Sequence, residues 1–476
     1  MSLEKMLKTP SGFLTDMMNI MIEKIPRINK AFAFQCSESL LSSCCFNIKT
    51  LDAEGDVYIV IWNMSILPSG LGVKSLPIKH WVIPIMKKVQ EKDPTHPLMI
   101  SHFNVESHIK FMNWHSHEVY NEETKEYETV QAKGNVGLIP IDEWTQIQKG
   151  FQTKDYMSDV PEHLSEVYDT SIGNRVTITH GFQTVDKCIK AFLSATTPFV
   201  YKVWNEDFFV QGLGNRLDYV VVEESGEEKI INHEEFFRRI KHEEILEPFA
   251  IRLRNLIESP INLVWLDDEA QKFWVNYEKG TRDRIKKLES RDLKRAYLAR
   301  QAEKVLKRAA LYTVSRNMRL DSGILSTDEE NLGRFPEDTP GELICSKDDL
   351  NLAIQSQEFY FANFCKMLEN WRSGRRRAEY AILTDETIRD TISAIIQREG
   401  VASRQLIIDE TRLNEGNKKL TDTISSLWFE KKIETMAGQE SRDFIAKQTQ
   451  EWKDRQHIKN FRGIAPVLHK WIGESE

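Results

Sequence analysis

Apolar residues recur along this chain with two different periods, and the changes between them divide it. Residues 1 to 50 carry them at helical spacing (Phe13, Leu14, Met17, Ile20, Met21, Ile25, then Ala31, Phe32, Phe34, Leu40, Leu41), which predicts two helices packed on whatever follows. From Val57 to Trp62 the run VYIVIW is short, continuous, β-branched and aromatic, the pattern of a strand covered on both faces. A turn, 63 to 75, follows at once, and then a helical stretch from about Leu76 to Lys92 with Pro77 at its start. A second buried strand, Val136 to Ile141, ends in Asp142 and Glu143, and a third, Ala191 to Ser194, ends in Ser-Ala-Thr-Thr-Pro. Helical patterns separate these runs. The alternation predicts an α/β core with a parallel sheet, whose ligands sit beyond the carboxyl ends of the strands. All three polar clusters then share one rim. The polar insert 114 to 134, with alternating Val, Tyr and Thr, predicts an exposed hairpin.

After about residue 225 the pattern becomes long, charged and amphipathic. In 281 to 317 the residues Leu288, Leu298, Ala302, Val305, Leu306 and Ala309 form the apolar stripe, and the region is expected to be a helical bundle. A turn-rich loop at 320 to 341 leads to a helix at 347 to 371, and the basic run Arg372, Arg375, Arg376, Arg377 reads as a linker. Beyond it, helical patterns at 384 to 397, 402 to 413 and 416 to 429 precede a hairpin expected at 430 to 438, the arrangement of a winged helix-turn-helix. The expected organisation is therefore a helical lead-in (1–50), an α/β core (51–225), a helical bundle (226–371) and a winged-helix-like domain (372–476).

Composition narrows the function classes. With 476 residues and 41% hydrophobic content the chain is globular, and at ~100–200 residues per domain it holds two to four domains. A net charge of -8 excludes a protein that coats nucleic acid over its whole surface, so any DNA contact is local. The 6 cysteines lack C-x-x-C spacing and read as reduced core thiols. The basic-then-apolar order of a signal peptide is missing at the start, and no stretch reaches the ~18 apolar residues of a membrane span, so the cytoplasm is the expected location. His102, His108, His115 and His117 lack the partners a closed zinc site needs.

The turn after the first strand carries the chemistry. A Walker A loop works because glycines let backbone N–H groups face the phosphates, lysine neutralises the β/γ oxygens and a hydroxyl holds Mg²⁺. Pro68-Ser69-Gly70-Leu71-Gly72-Val73-Lys74-Ser75 supplies these groups, except that Val73 stands where glycine should precede the lysine. Either the loop is one residue longer than usual or Val73 is tolerated there; a loop that merely turns the chain is the alternative. Asp142 and Glu143 fit the strand-end acids that hold Mg²⁺ and orient the attacking water, although Pro140 suits a central strand poorly. Ser194, Thr196 and Thr197 stand where a motor senses the γ-phosphate, or else cap a strand before Pro198. Arg216, after the turn Gly212-Leu213-Gly214-Asn215, is either a finger for a neighbouring subunit's γ-phosphate or a surface partner of Asp218. In the last domain, Lys418, Lys419, Lys431 and Lys432 flank the expected recognition helix and wing, where they neutralise phosphates or simply solvate a helix face.

Together these residues resemble the P-loop helicase domain that phage, plasmid and archaeal mobile elements carry alone or fused to a primase. The resemblance runs from about residue 8 to 370 and rests on the order and spacing of short motifs: Thr9 to Leu14, Pro68 to Pro77, Asp142-Glu143, Ser194 to Pro198, Gly212 to Arg216, Arg300 to Leu311 and Asp348 to Ile354. It implies a RecA/AAA-like ATPase forming a homo-oligomer, expected to be a hexameric ring, that moves along single-stranded or forked DNA. It implies that Ser69, Gly70, Gly72, Lys74 and Ser75 bind ATP, that Ser75 and Asp142 hold Mg²⁺, that Glu143 positions water, that Thr196 and Thr197 face the γ-phosphate and that Arg216 acts in trans. A separate primase or polymerase is the implied partner. Two alternatives stay open: a DNA-packaging motor, and a catalytically weak nucleotide-binding initiator or structural ring, which Val73 favours.

Overall fold

The structure is a computed structural model. It describes residues 7, 9–25, 27–52, 55–68, 74–92, 97–101, 105–112, 116–121, 126–131, 133–153, 157–170, 175–177, 181–183, 187–210, 212–222, 243–318, 341–380, 385–411, 418–430, 432–456 and 467–472. It divides into two units, Met1–Ser373 and Gly374–Glu476.

In the first unit the helices Phe13–Lys24 and Lys30–Cys44 come first, as their apolar spacing requires. Strands β1 (Lys49–Asp52), β2 (Gly55–Tyr58) and β3 (Trp62–Ile66) follow. The run from Val57 to Trp62 is thus not one strand: it spans the end of β2 and the start of β3, which belong to different sheets. The cause is Ser42, whose hydroxyl donates to the Ile59 carbonyl (2.8 Å) and accepts from the Ile61 N–H (3.0 Å), occupying backbone groups that a continuing strand would offer a neighbour. Further along come β4 (Pro97–Met99), the antiparallel hairpin β5 (Ser116–Asn121) and β6 (Glu126–Gln131), β7 (Lys133–Ile141), a second hairpin β8 (Arg175–Thr177) and β9 (Gly181–Gln183), β10 (Ile189–Thr196) and β11 (Asp218–Val221). The hairpin expected within 114 to 134 is present.

Five of these strands form a parallel sheet in the order β11-β3-β10-β7-β4. Every residue of β10 is buried, as befits a strand inserted between two neighbours with helices over both faces. Ala191, Leu193 and Ala195 enter one hydrophobic layer with the helices Phe13–Lys24, Lys30–Cys44 and Gln301–Asn317. Phe192, Trp62, Ile139 and Tyr219 enter the opposite layer. The α/β core with a parallel sheet follows from the alternation of buried runs and helical patterns. After β3 the chain is helical from Ser75 to Lys92, with one π turn at Ile78–Val82. Pro84 lies just beyond that turn and has no N–H to give His80, so the ladder reaches one residue further.

The region after residue 225 is not purely helical. The helices Glu243–Glu258, Asp268–Lys286, Leu293–Ala299, Gln301–Asn317 and Lys347–Tyr380 are interrupted by β12 (Leu263–Leu266) and β13 (Glu342–Cys345). These join β1 and β2 in a second sheet, order β13-β12-β1-β2. Four-residue strands carry too little periodicity to stand out among long amphipathic helices, and the partner β1 lies far away in sequence. The basic run after Arg372, expected as a linker, holds the boundary between the two units, which falls between Ser373 and Gly374. It continues the helix to Tyr380, since arginine is a good helix former. Of the loop expected at 320 to 341, residues 320 to 340 lie outside the described residues, and no described helix is long and apolar enough to cross a membrane.

A buried polar core ties the lead-in helices to the sheet and the later helices. Arg308 pairs with Glu38 (2.9 Å) and Asp218 (2.7 Å), all three fully or almost fully buried. Tyr360 and Tyr312 donate to Glu38, while Tyr297 and Lys304 donate to Asp218. Nearby, Ser65 of β3 donates to Gln35 (2.7 Å). The same lead-in is docked at Gly12, which has φ 89° and whose missing Cβ leaves room for the Ser315 carbonyl oxygen, 1.9 Å from where that atom would lie. Gly12→Ala is expected to lower stability by about 2–4 kcal/mol, summing backbone strain and overpacking. The urea midpoint should fall with m unchanged; an unchanged midpoint would contradict the docking.

The second unit has helices Asp385–Glu399, Arg404–Thr411 and Lys418–Phe429 with strands β14 (Val401–Ser403), β15 (Ile433–Met436) and β16 (Leu468–Trp471). The three strands form an antiparallel sheet with β16 in the middle. Among the described residues the local hairpin expected at 430 to 438 is therefore not formed. A helix begins at Gly438, its Ile445 buried, so β15 finds its partner only at β16. All six cysteines are free, five of them buried, as expected of core thiols.

Candidate functional site

The registers place the ends of three strands on one rim. Thr196 of β10 pairs with Ile66 at the end of β3, and Ser194 pairs with Ile141 at the end of β7. Thr196 therefore lies level with the chain as it leaves β7 through Asp142 and Glu143. Leu67 N–H reaches the Thr196 carbonyl (2.9 Å), holding the exit of β3 against β10.

Lys74, at the start of the helix after β3, donates to Glu143 Oε2 across 69 positions of sequence. The other oxygen, Oε1, accepts from Thr196 Oγ1 at 2.9 Å, and Thr196 is in turn bonded to Thr145 Oγ1 at 2.6 Å. One turn beyond Lys74, Lys79 pairs with Asp142 Oδ2 at 2.5 Å. The site thus gathers two ammonium groups, two carboxylates and two hydroxyls, with Lys74 and Glu143 about one-fifth exposed. Partial burial acts to raise the pKa of Glu143, but the hydrogen bonds from Lys74 and Thr196 and the Lys74 charge outweigh it and hold the carboxyl below its usual range. Glu143 is an anion at neutral pH whose basicity is restrained by the lysine it touches.

Ser75 is partly buried at the first helical position after Lys74, and Thr197 is partly buried beside Thr196. Ser194 is buried, and its hydroxyl lacks a hydrogen-bond partner among the described residues. Ser69, Gly70, Gly72 and Val73 lie outside the described residues. Lys79 and Thr145 were missed in the sequence. Their only signal was position, four residues after Ser75 and two after Glu143, and that becomes informative only once the strand ends are known to be neighbours.

Arg216 stands elsewhere. It precedes β11, whose Asp218 pairs with Asn63 near the amino end of β3, so it sits at the opposite end of the sheet from the rim. It is buried and pairs with Asp169 (2.5 Å), not Asp218, and Asp169 also receives Arg300 (2.9 Å). His108 and His163 form a buried pair, Nδ1 to Nε2 2.9 Å, while His102 and His115 lie outside the described residues. Among the described residues no group of three or more His, Cys, Asp or Glu is placed to hold a metal. In the second unit Lys432 follows the helix Lys418–Phe429 that Lys418 and Lys419 open; Lys431 lies outside the described residues. No protein-family model matches the sequence, and no curated protein matches it.

Proposed function

We propose that the chain is a P-loop ATPase working as a ring-forming DNA helicase or translocase. The carrying observation is the meeting of Lys74, Glu143 and Thr196 where β3 turns into its helix, with β10 inserted between the lysine strand and the acid strand. The inserted strand sets the two outer strands apart, and its terminal hydroxyl holds the carboxylate oxygen that the lysine does not. That is the placement a group sensing a terminal phosphate needs.

The chemistry follows from the contacts. A triphosphate on the loop offers Lys74 a stronger anionic partner than one carboxylate, so Lys74 leaves Glu143 for the β/γ oxygens. Release of the lysine removes the main influence depressing the Glu143 pKa, and Oε2 then accepts a proton from the attacking water while Thr196 keeps Oε1 in place. The donor set suits Mg²⁺, a hard cation that takes one or two protein oxygens and completes its shell from phosphate and water. Ser75 and Asp142 would hold it, and it would neutralise charge building on the transferred phosphoryl group. Thr197 would face the γ-phosphate. For Arg216 to serve a neighbouring copy in a hexameric ring, its pair with Asp169 has to open. The helices Asp385–Glu399, Arg404–Thr411 and Lys418–Phe429 with the three-stranded antiparallel sheet support a winged-helix reading and a DNA contact in the second unit, to which Gly438–Ala446 and Gln450–Arg455 add two further helices. Priming would come from a separate primase or polymerase.

One observation favours a second reading, a nucleotide-binding ring with little turnover: Asp142 is already neutralised by Lys79. ATP hydrolysis measured with and without single-stranded DNA separates the two. The motor is expected to show DNA-stimulated turnover that Lys74→Ala removes. Wild-type protein that binds DNA and ATP but releases no phosphate would establish the inert ring instead.

A further inference from the structure

Two helices leave the rim side by side, and an exposed aromatic ring lies between them. The helix Trp144–Thr153 begins directly after Glu143, and the short helix Val200–Val203 begins four residues after Thr196. Thr145 and Thr196 bridge their roots. Phe199, three residues beyond Thr196, is 46% exposed. Lys149 of the first helix holds its Nζ 4.7 Å from the centre of that ring, and Lys202 of the second holds its Nζ 5.7 Å from it. Both lysines are exposed.

A single exposed apolar side chain needs no explanation. An exposed ring flanked by two ammonium groups is a different surface, one apolar face with a cation on each side, and each exposed cation–π contact holds its lysine by only about 0.5–1 kcal/mol. A ligand with a flat π face and anions on either side meets all three groups at once. Single-stranded nucleic acid has that chemistry, with bases that stack on aromatic side chains and a phosphate on each flank.

We propose that Phe199 stacks a base of single-stranded DNA while Lys149 and Lys202 receive the neighbouring phosphates. This rests on the proposed motor reading and names the surface through which the strand touches it. The position gives the contact a consequence. A strand held on Phe199 pulls on the segment that positions Thr196, and one held on Lys149 pulls on the helix rooted at Glu143, so occupancy is reported to both oxygens of the Glu143 carboxylate.

The test uses the full chain and fluorescein-labelled oligothymidylate, with affinity read by anisotropy over a range of salt. Phe199→Ala is expected to weaken binding roughly ten-fold, within the range for loss of one stacked base, and to reduce DNA stimulation of ATP turnover while DNA-free turnover stays at the wild-type level. Phe199→Trp should restore the affinity, separating stacking from a folding defect. Removing both lysines, Lys149→Ala with Lys202→Ala, should lower the slope of log K against log salt by about 1.4, the share of two phosphates on a single strand. Equal binding by wild type and Phe199→Ala overturns this inference alone. A wild-type chain that binds no oligothymidylate overturns it together with the DNA half of the proposed function.

Discussion

Glu143→Gln is expected to lower ATP turnover by about 10²–10⁴-fold, the contribution of a positioned general base, while ATP binding stays equal or becomes tighter. Glutamine keeps the shape of the side chain and a carbonyl oxygen for the Thr196 hydroxyl, so the geometry of the rim is retained. It cannot take a proton from water. It also gives Lys74 no anionic partner in the resting chain, so the lysine reaches phosphate without first breaking an ion pair. Turnover and equilibrium ATP binding measured on the same preparation check both halves. Turnover within a few-fold of wild type would remove Glu143 from the chemistry. The pH profile carries a further sign. The acid limb of kcat/KM reports the free enzyme, where Glu143 is held low by Lys74. The limb should therefore lie below the ordinary glutamate value of about 4.3.

The largest effect on stability is expected at Arg308. Arg308→Ala leaves Glu38 and Asp218 buried without the guanidinium that neutralises both, and removing one member of a buried ion pair costs about 3–5 kcal/mol. Tyr297, Tyr312 and Tyr360 still donate to the two carboxylates, and Lys304 still faces Asp218, but Glu38 has no second cation among the described residues. Urea denaturation followed through the first unit should show the midpoint fall; a shift below about 1 kcal/mol would mean that the network is energetically neutral. Acid sharpens the prediction. Burial works to raise the Asp218 pKa, but Arg308 and Lys304 outweigh it and hold the carboxyl far below its unfolded value of about 3.9. Its stabilisation is present above that value and is lost as pH falls through the folded one. Without Arg308 the folded value rises, so acid unfolding should begin at higher pH.

The parallel sheet, the run of helices, the hairpin within 114 to 134 and the presence of both acids at a strand end were legible from local pattern. Each depends on residues close together in the chain: β10 is apolar throughout because both its faces are covered, and Asp142 and Glu143 end a strand because a carboxylate cannot continue into that interior. What local pattern missed came from long-range contacts. Ser42 divides the run at Val57–Trp62 between two sheets by hydrogen bonds reaching 17 and 19 positions along the chain. β12 and β13 are strands because β1 lies beside them, and β15 passes over its sequence neighbours to pair with β16.

The candidate site divides in the same way. Residue types marked Lys74, Glu143 and Thr196 as candidates, but their meeting depends on β10 lying between β3 and β7, a matter of strand order that no periodicity encodes. Lys79 on Asp142 and Thr145 on Thr196 are visible only in that packing. Arg216 illustrates the reverse: a glycine-rich turn before an arginine was a clear local signal, and packing set it against Asp169 at the far end of the sheet. Side-chain identity and spacing set which groups are available, since burial and backbone hydrogen bonding act residue by residue. Which of those groups touch is settled by the order in which strands pair, and that order is chosen by the summed packing of the whole core.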